Sequence, residues 1–301
     1  MPQMTDTCTY SICQKKRRPA DDLQKALIYL AAAFSIFILA GIMIYVFYRG
    51  ITSISISFLT TAPSALNNTF GILGNIINTL YIVVITLLIA TPIGVGSAIY
   101  LNEYAKPGRI VRLIEFTTET LAGIPSIIFG LFGYVFFGTT LKLGYSILTG
   151  ALTLSLMVLP LITRNTQEAL KTVPLSYRSG ALSIGATKWY MIRTILLPSA
   201  MPGIITGIIL AVGRIVGESA ALLFTAGSGY LLPNLSNGAG ALISKIMEPG
   251  GTLTIQMYLC MSKAQYDYAF AIALVLLVIV LSINFLTKYL SHKFDVNREK
   301  R

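Results

Sequence analysis

Arg214 and Glu218 are the only ionisable residues in the apolar stretch 201–224, and they stand four residues apart. That spacing puts both on one face of a helix, within reach of each other. A guanidinium is a planar fork that grips two oxygens of an anion at once. A carboxylate beside it can hold the fork in place and release it when the anion arrives. The same spacing also fits an ion pair that only locks helices together. Arg164, at the end of the stretch 146–163, is a second candidate for anion contact, with charge anchoring as its alternative. Glu115 and Glu119 lie near the start of another apolar segment, where an interfacial position suits them.

Other chemistries find no support. The single histidine, His292, is near the C-terminus, which argues against a Ser–His protease and a His-based metal site. No apolar segment carries paired aspartates. Gly180 and Gly185 have the glycine spacing of a nucleotide-phosphate loop, but Ala186 stands where that loop requires Lys. No enzyme activity, cofactor or metal is expected.

Few elements are available to position these residues. Charged residues make up 12% of the 301 and apolar ones 54%, with a mean hydropathy of +0.72. A soluble domain carries about 25% charged residues, so this chain could not keep a soluble surface wet. A membrane-crossing helix needs about 20 mostly apolar residues. Six segments qualify: 27–48, 71–100, 113–138, 146–163, 201–224 and 269–289. Each is apolar all round, and helix is the only spanning choice because lipid satisfies no backbone polar group. Lys15, Lys16, Arg17 and Arg18 precede the first segment like a signal peptide, but the apolar run reaches Tyr48 and reads as an uncleaved span.

Of 23 Lys and Arg residues, five fall in 1–26, three in 101–112, five in 164–200 and five in 287–301. The alternate gaps hold only Arg49, Lys142, Lys245 and Lys263. Cytoplasmic loops retain positive charge, so both termini and the loop 164–200 are expected in the cytoplasm. The net charge of +11 follows from this topology and needs no nucleic acid. Membrane lipid is the expected surrounding. Cys8 and Cys13 then sit in a reducing compartment and Cys260 stands alone outside. The expected organisation is a tail 1–26, a first span 27–48, a core 71–289 holding five spans and the loop 164–200, and a tail 290–301.

Gly203 with Gly207, and Gly213 with Gly217, are small-xxx-small pairs that suit close helix packing. Pro125 and Pro160 are expected to kink their spans, and 226–268 reads as an external loop with one short helix. The loop 164–200 differs in kind. Pro174 and Pro198 bracket it, Gly180 and Gly185 break it, and Leu175, Ala181 and Leu182 suit one face of a short helix. From Thr187, a good N-cap, Trp189, Ile192, Ile195 and Leu196 recur at helical spacing, as in an interfacial helix.

This loop resembles the cytoplasmic loop of inner-membrane permeases of binding-protein-dependent ABC importers. That loop carries Glu-Ala-Ala, three residues, Gly, and then an Ile-x-Leu-Pro ending. Here Ser179, Gly180 and Ala181 stand in the Glu-Ala-Ala place, Gly185 is the Gly, and Ile195 to Pro198 close it, with PGIITG following. The acidic residue is missing. The segments LAGIPSIIFGLFGY (121–134), LPLITRNTQEALKTVP (159–174) and GRIVGESAALLFTAG (213–227) are similar to permeases of the phosphate importer, of the PstA type.

The resemblance implies an all-α, six-span type I importer permease fold in a bacterial or archaeal inner membrane. It implies a coupling helix docking on a cytoplasmic ATPase through Ser179, Gly180, Ala181, Leu182, Gly185, Ala186 and Thr187. With phosphate as the cargo the resemblance suggests, the chemistry of Arg214, Glu218 and Arg164 puts them on its path. The partners it implies are a second permease of the PstC type, two ATPase copies of the PstB type and an external phosphate-binding protein of the PstS type. An importer of molybdate or sulfate, an ion-gradient-driven carrier, and a sensor subunit without transport are the alternatives.

Overall fold

The computed structural model describes residues 19–63, 70–230, 232, 240 and 244–293. Among these residues every regular element is helical. The predicted tails lie mostly outside the described residues, as do Cys8, Cys13 and part of the external loop 226–268. The chain divides into two compact units, Met1–Phe47 and Tyr48–Arg301.

Helix α1 (Pro19–Ile51) supplies the described part of the first unit and outruns the predicted span 27–48 at both ends. Leu30, Phe37 and Ile44 are exposed on it. An apolar surface on all sides suits lipid rather than water.

The second unit begins with α2 (Ile56–Thr60), capped by Ser55, whose Oγ accepts from the Phe58 N–H at 3.1 Å. Helix α3 (Leu73–Ile99) closes in a π-helical turn, Tyr100–Tyr104. Then come α4 (Arg109–Gly123), α5 (Ser126–Gly133) with a π turn Tyr134–Thr140, and α6 (Ile147–Lys171). The inner loop holds α7 (Leu175–Ser183) and α8 (Lys188–Met191), which runs through a π turn, Ile192–Leu196, into α9 (Leu197–Gly217). After α10 (Ala220–Thr225) come α11 (Leu253–Ser262) and α12 (Tyr266–Lys293). Among the described residues five continuous helices are long and apolar enough to cross a bilayer, and α4 with α5 make a sixth if counted as one bent span.

The bounds of three predicted segments need correction. The segment 113–138 is not one kinked helix: α4 and α5 meet at 103°. Ile124 before Pro125 takes an extended conformation (ψ 132), as a pre-proline residue prefers, and the helix ends there. The segment 201–224 is likewise broken, because Glu218 is extended (φ −81, ψ 125) between α9 and α10. The loop predicted at 164–200 starts inside α6 and ends inside α9. Its charged residues mark where the chain leaves the apolar layer, not where the helix stops.

Pro198 does not end the inner helix either. Its ring would clash with the carbonyl four residues back in an α-helix. The preceding π turn re-routes that ladder, with the Leu197 N–H bonding the Ile192 carbonyl. Trp189 therefore opens a continuous helix, Lys188–Gly217, and not a separate interfacial one.

Helix α6 is the hub, packed against α3, α5 and α9. Its Leu154, Val158 and Ile162 join Ile82, Ile215 and Leu222 in the main core. Gly203 and Gly207 let α9 lie close on α6: a Cβ on either would come within 2.6 Å of the Ala169 Cβ or 2.7 Å of the Asn165 Cβ. Gly213 and Gly217 have nothing within 4 Å of an added Cβ, so the second pair makes no close helix approach within this chain's described residues. A smaller core (Leu170, Val173, Ala181, Met191, Ile192, Leu196) fastens the inner loop beneath α6 and α9.

Candidate functional site

Arg214 sits one turn from the end of α9, with its side chain exposed. The expected pairing with Glu218 does not form. Spacing of four residues brings side chains together only while the helix lasts, and Gly217 is its final residue. The Glu218 carboxylate turns the other way. Its Oε1 accepts from the Ala221 N–H at 3.1 Å, at the positive N-terminal end of α10. Thr254 Oγ1 donates to the Glu218 carbonyl at 2.8 Å and holds that backbone.

Arg214 instead lines a cavity of about 120 Å³ whose walls include Glu119, Met157, Pro160 and Arg164. The bend at Pro125 leaves α4 free to bring Glu119 there, and α6 brings Arg164. Arg164 Nη1 lies 3.5 Å from Glu119 Oε1, with side chains 65% and 64% exposed. Two arginines thus line one cavity with a single carboxylate, which pairs with Arg164 only, leaving a local positive charge suited to an anion. A groove of about 360 Å³ adjoins the cavity through Thr118, Glu119 and Arg164, and is lined further by Leu101, Arg112, Glu115 and the Lys171–Glu168 pair.

At the inner loop, Thr187 caps α8, its Oγ1 accepting from the Tyr190 N–H at 3.3 Å. Gly185 has φ +84, a conformation other residues adopt only with strain, and it turns the chain between α7 and α8. Ser179, Gly180, Leu182, Gly185 and Thr187 are exposed, and no atom lies within 4 Å of where a Cβ on either glycine would point. Ala186 is half-buried, and Ala181 is buried in the smaller core, so Ala181 secures the loop and offers no surface. Around the exposed residues Leu175, Ile184, Trp189 and Tyr190 also face outward, Ile184 at 86%. Monomeric proteins rarely expose contiguous apolar patches unless a partner covers them.

Sequence reasoning missed a second ion pair. Arg178 Nη2 on α7 lies 3.1 Å from Glu103 Oε1 in the π turn after α3, with side chains 19% and 6% exposed. The same Nη2 donates to the Leu170 carbonyl at 3.0 Å, and Asn102 Nδ2 donates to Glu103 Oε1 at 2.7 Å. Lys188 Nζ stands 4.9 Å from the Tyr104 ring centroid, a cation–π contact. Glu119 was weighed in the sequence, but not as the partner of Arg164. The available signal was opposite charge at the same end of successive spans.

Residues 90–296 match the family described as binding-protein-dependent transport system inner membrane component. The probable ABC transporter permease protein YqgI of Bacillus subtilis is 40% identical over 211 residues, 70% of this chain and 72% of that protein. The phosphate transport system permease protein PstA of Haemophilus influenzae is 36% identical over 216 residues, 72% and 76% of the two chains. Among solved structures, a chain of a bacterial alginate ABC transporter superposes with a TM-score of 0.67 at 16% identity, covering 92% of this chain and 96% of its own. A chain of the inward-facing MetNI methionine ABC transporter gives 0.55 at 20% identity, with 74% and 94% covered. The fold is therefore the type I importer permease fold, in a multi-pass protein of the cytoplasmic membrane. With most of its length matched by the family and by relatives well above 30% identity, the chain belongs to the inner membrane components of binding-protein-dependent transport systems.

Proposed function

We propose that this chain is the permease subunit of an ATP-driven inorganic phosphate importer and forms half of its translocation pathway. One observation carries the reading most: Arg164 and Arg214, from different helices, line one cavity beside a single carboxylate. The names of several relatives, phosphate transport system permease protein PstA, support phosphate as the anion. An exposed ion pair such as Arg164–Glu119 contributes only about 0–1 kcal/mol, so a doubly charged anion can displace the carboxylate and take both guanidiniums. Glu218 has no direct part in this exchange and acts by positioning the backbone after Arg214.

The distribution of Lys and Arg supports an orientation with both termini and the inner loop in the cytoplasm. In this orientation 1–26 and 290–301 are cytoplasmic tails, 27–48 spans alone, and 71–289 forms the permease core. Ser179, Gly180, Leu182, Gly185 and Thr187, ringed by exposed apolar side chains, dock on a separate ATPase that performs the hydrolysis. Ala181 and Ala186 shape that surface from beneath. The working assembly adds a PstC-type permease, two PstB-type ATPase copies and an external PstS-type binding protein.

The test is reconstitution of that assembly in proteoliposomes, with labelled phosphate uptake followed with and without ATP. Uptake is expected to need ATP and the binding protein, and to resist competition by sulfate and molybdate. Phosphate movement by this chain alone, driven by an ion gradient, would overturn the proposal. Stronger competition by sulfate or molybdate would reassign the substrate.

A further inference from the structure

We infer that Arg178 and Glu103 form a strut that carries movement of the inner loop into the membrane helices, making both of them positioning residues for energy coupling. The inference rests on the reading of the inner loop as the ATPase-docking element.

One guanidinium ties three helix ends together. Arg178 belongs to α7, its Nη2 contacts the Leu170 carbonyl near the end of α6, and it pairs at 3.1 Å with Glu103 at the end of α3. Asn102 holds the same carboxylate oxygen from its own side, and Lys188 over Tyr104 adds a second tether from α8 to the same turn. Glu103 is nearly sealed from solvent. If α7 slid away from it, a charge would be left buried and unpaired, so the end of α3 is constrained to follow α7. The seat on α3 is a π turn, a geometry that recurs at functional sites. Arg178 Nε is buried and has no hydrogen-bond partner among the described residues.

The far end of the strut reaches the candidate anion path. Leu101, in the same π turn as Glu103, lines the groove that adjoins the Arg164–Arg214 cavity. Helix α3 also packs along α6 and α9, which carry those two arginines. Displacement of α7 therefore has a continuous route to the cavity.

The experiment uses the complete transporter in proteoliposomes and records phosphate uptake and ATP hydrolysis together. For Glu103→Gln, uptake per ATP is expected to fall by about tenfold, the scale of one lost charge-assisted contact, with hydrolysis retained. The exchanged pair Glu103→Arg/Arg178→Glu is expected to recover part of that ratio. An unchanged ratio in Glu103→Gln would overturn the strut. So would uptake and hydrolysis falling together with the amount of assembled complex and no recovery on exchange, since that marks a contact serving only the fold. A cysteine cross-link from Ile184→Cys to the ATPase checks the underlying reading. Its absence in the otherwise unaltered complex would overturn the docking loop itself, whereas an intact cross-link with an unchanged ratio would sink the strut alone.

Discussion

Two arginine–carboxylate pairs lie toward the same end of the spans, and they are built in opposite ways. Arg164 and Glu119 meet at 3.5 Å with roughly two thirds of each side chain exposed (65% and 64%), and a second arginine, Arg214, lines the same cavity. Arg178 and Glu103 meet at 3.1 Å with 19% and 6% exposed, and the Leu170 carbonyl and the Asn102 amide each add a hydrogen bond. The first pair is loose and short of negative charge, so it can exchange its partner for an anion. The second is enclosed, and breaking it strands a charge. The contrast shows that an ion pair's role follows from its surroundings more than from its residue types.

Substitutions can break or sharpen this contrast. The largest effect is expected from Arg178→Ala, which leaves Glu103 buried and alone; thermal unfolding in detergent should show a loss of about 3–5 kcal/mol. Arg214→Ala should leave folding and assembly intact while uptake falls roughly 10–100-fold, matching about 1.5–3 kcal/mol for a lost charged contact. Normal uptake there would remove the cavity from the pathway. Gly185→Leu forces a side chain onto φ +84 and should cost about 1–2 kcal/mol locally. Its readout is ATP hydrolysis that continues while uptake drops, and unchanged coupling would count against the docking surface. Glu119→Gln is the smallest. Stability should move by less than about 0.5 kcal/mol, since an exposed pair contributes little. A clear drop in melting temperature would show that the loose pair holds the structure after all.

Much of the architecture was readable before any coordinates. Long apolar runs announced the spans, and Thr187 announced the start of α8, which its hydroxyl caps. The glycine pair 203/207 announced a close approach that α6 indeed makes. Helix continuity was less legible. Pro125 read as a kink, yet it ends α4 and swings α5 through 103°. Glu218 reads as part of one continuous span, 201–224, yet its extended backbone separates two helices. That single break undid the Arg214–Glu218 pairing, because spacing arguments hold only inside one uninterrupted helix. Glu103 carried no signal at all, being a lone acid at the end of a span and far in sequence from Arg178.

The sequence by itself determined which segments enter the membrane, because the need to satisfy backbone polar groups in lipid acts within each segment. It also supplied the charge asymmetry that argues for orientation, since the cost of translocating Lys and Arg belongs to each loop separately. Only the tertiary structure decided which charges meet. Pairing Arg164 with Glu119, and Arg178 with Glu103, depends on the rotation and depth at which α3, α4, α6 and α7 pack. Those quantities are set by side-chain interlock between helices distant in the chain, and no local pattern encodes them.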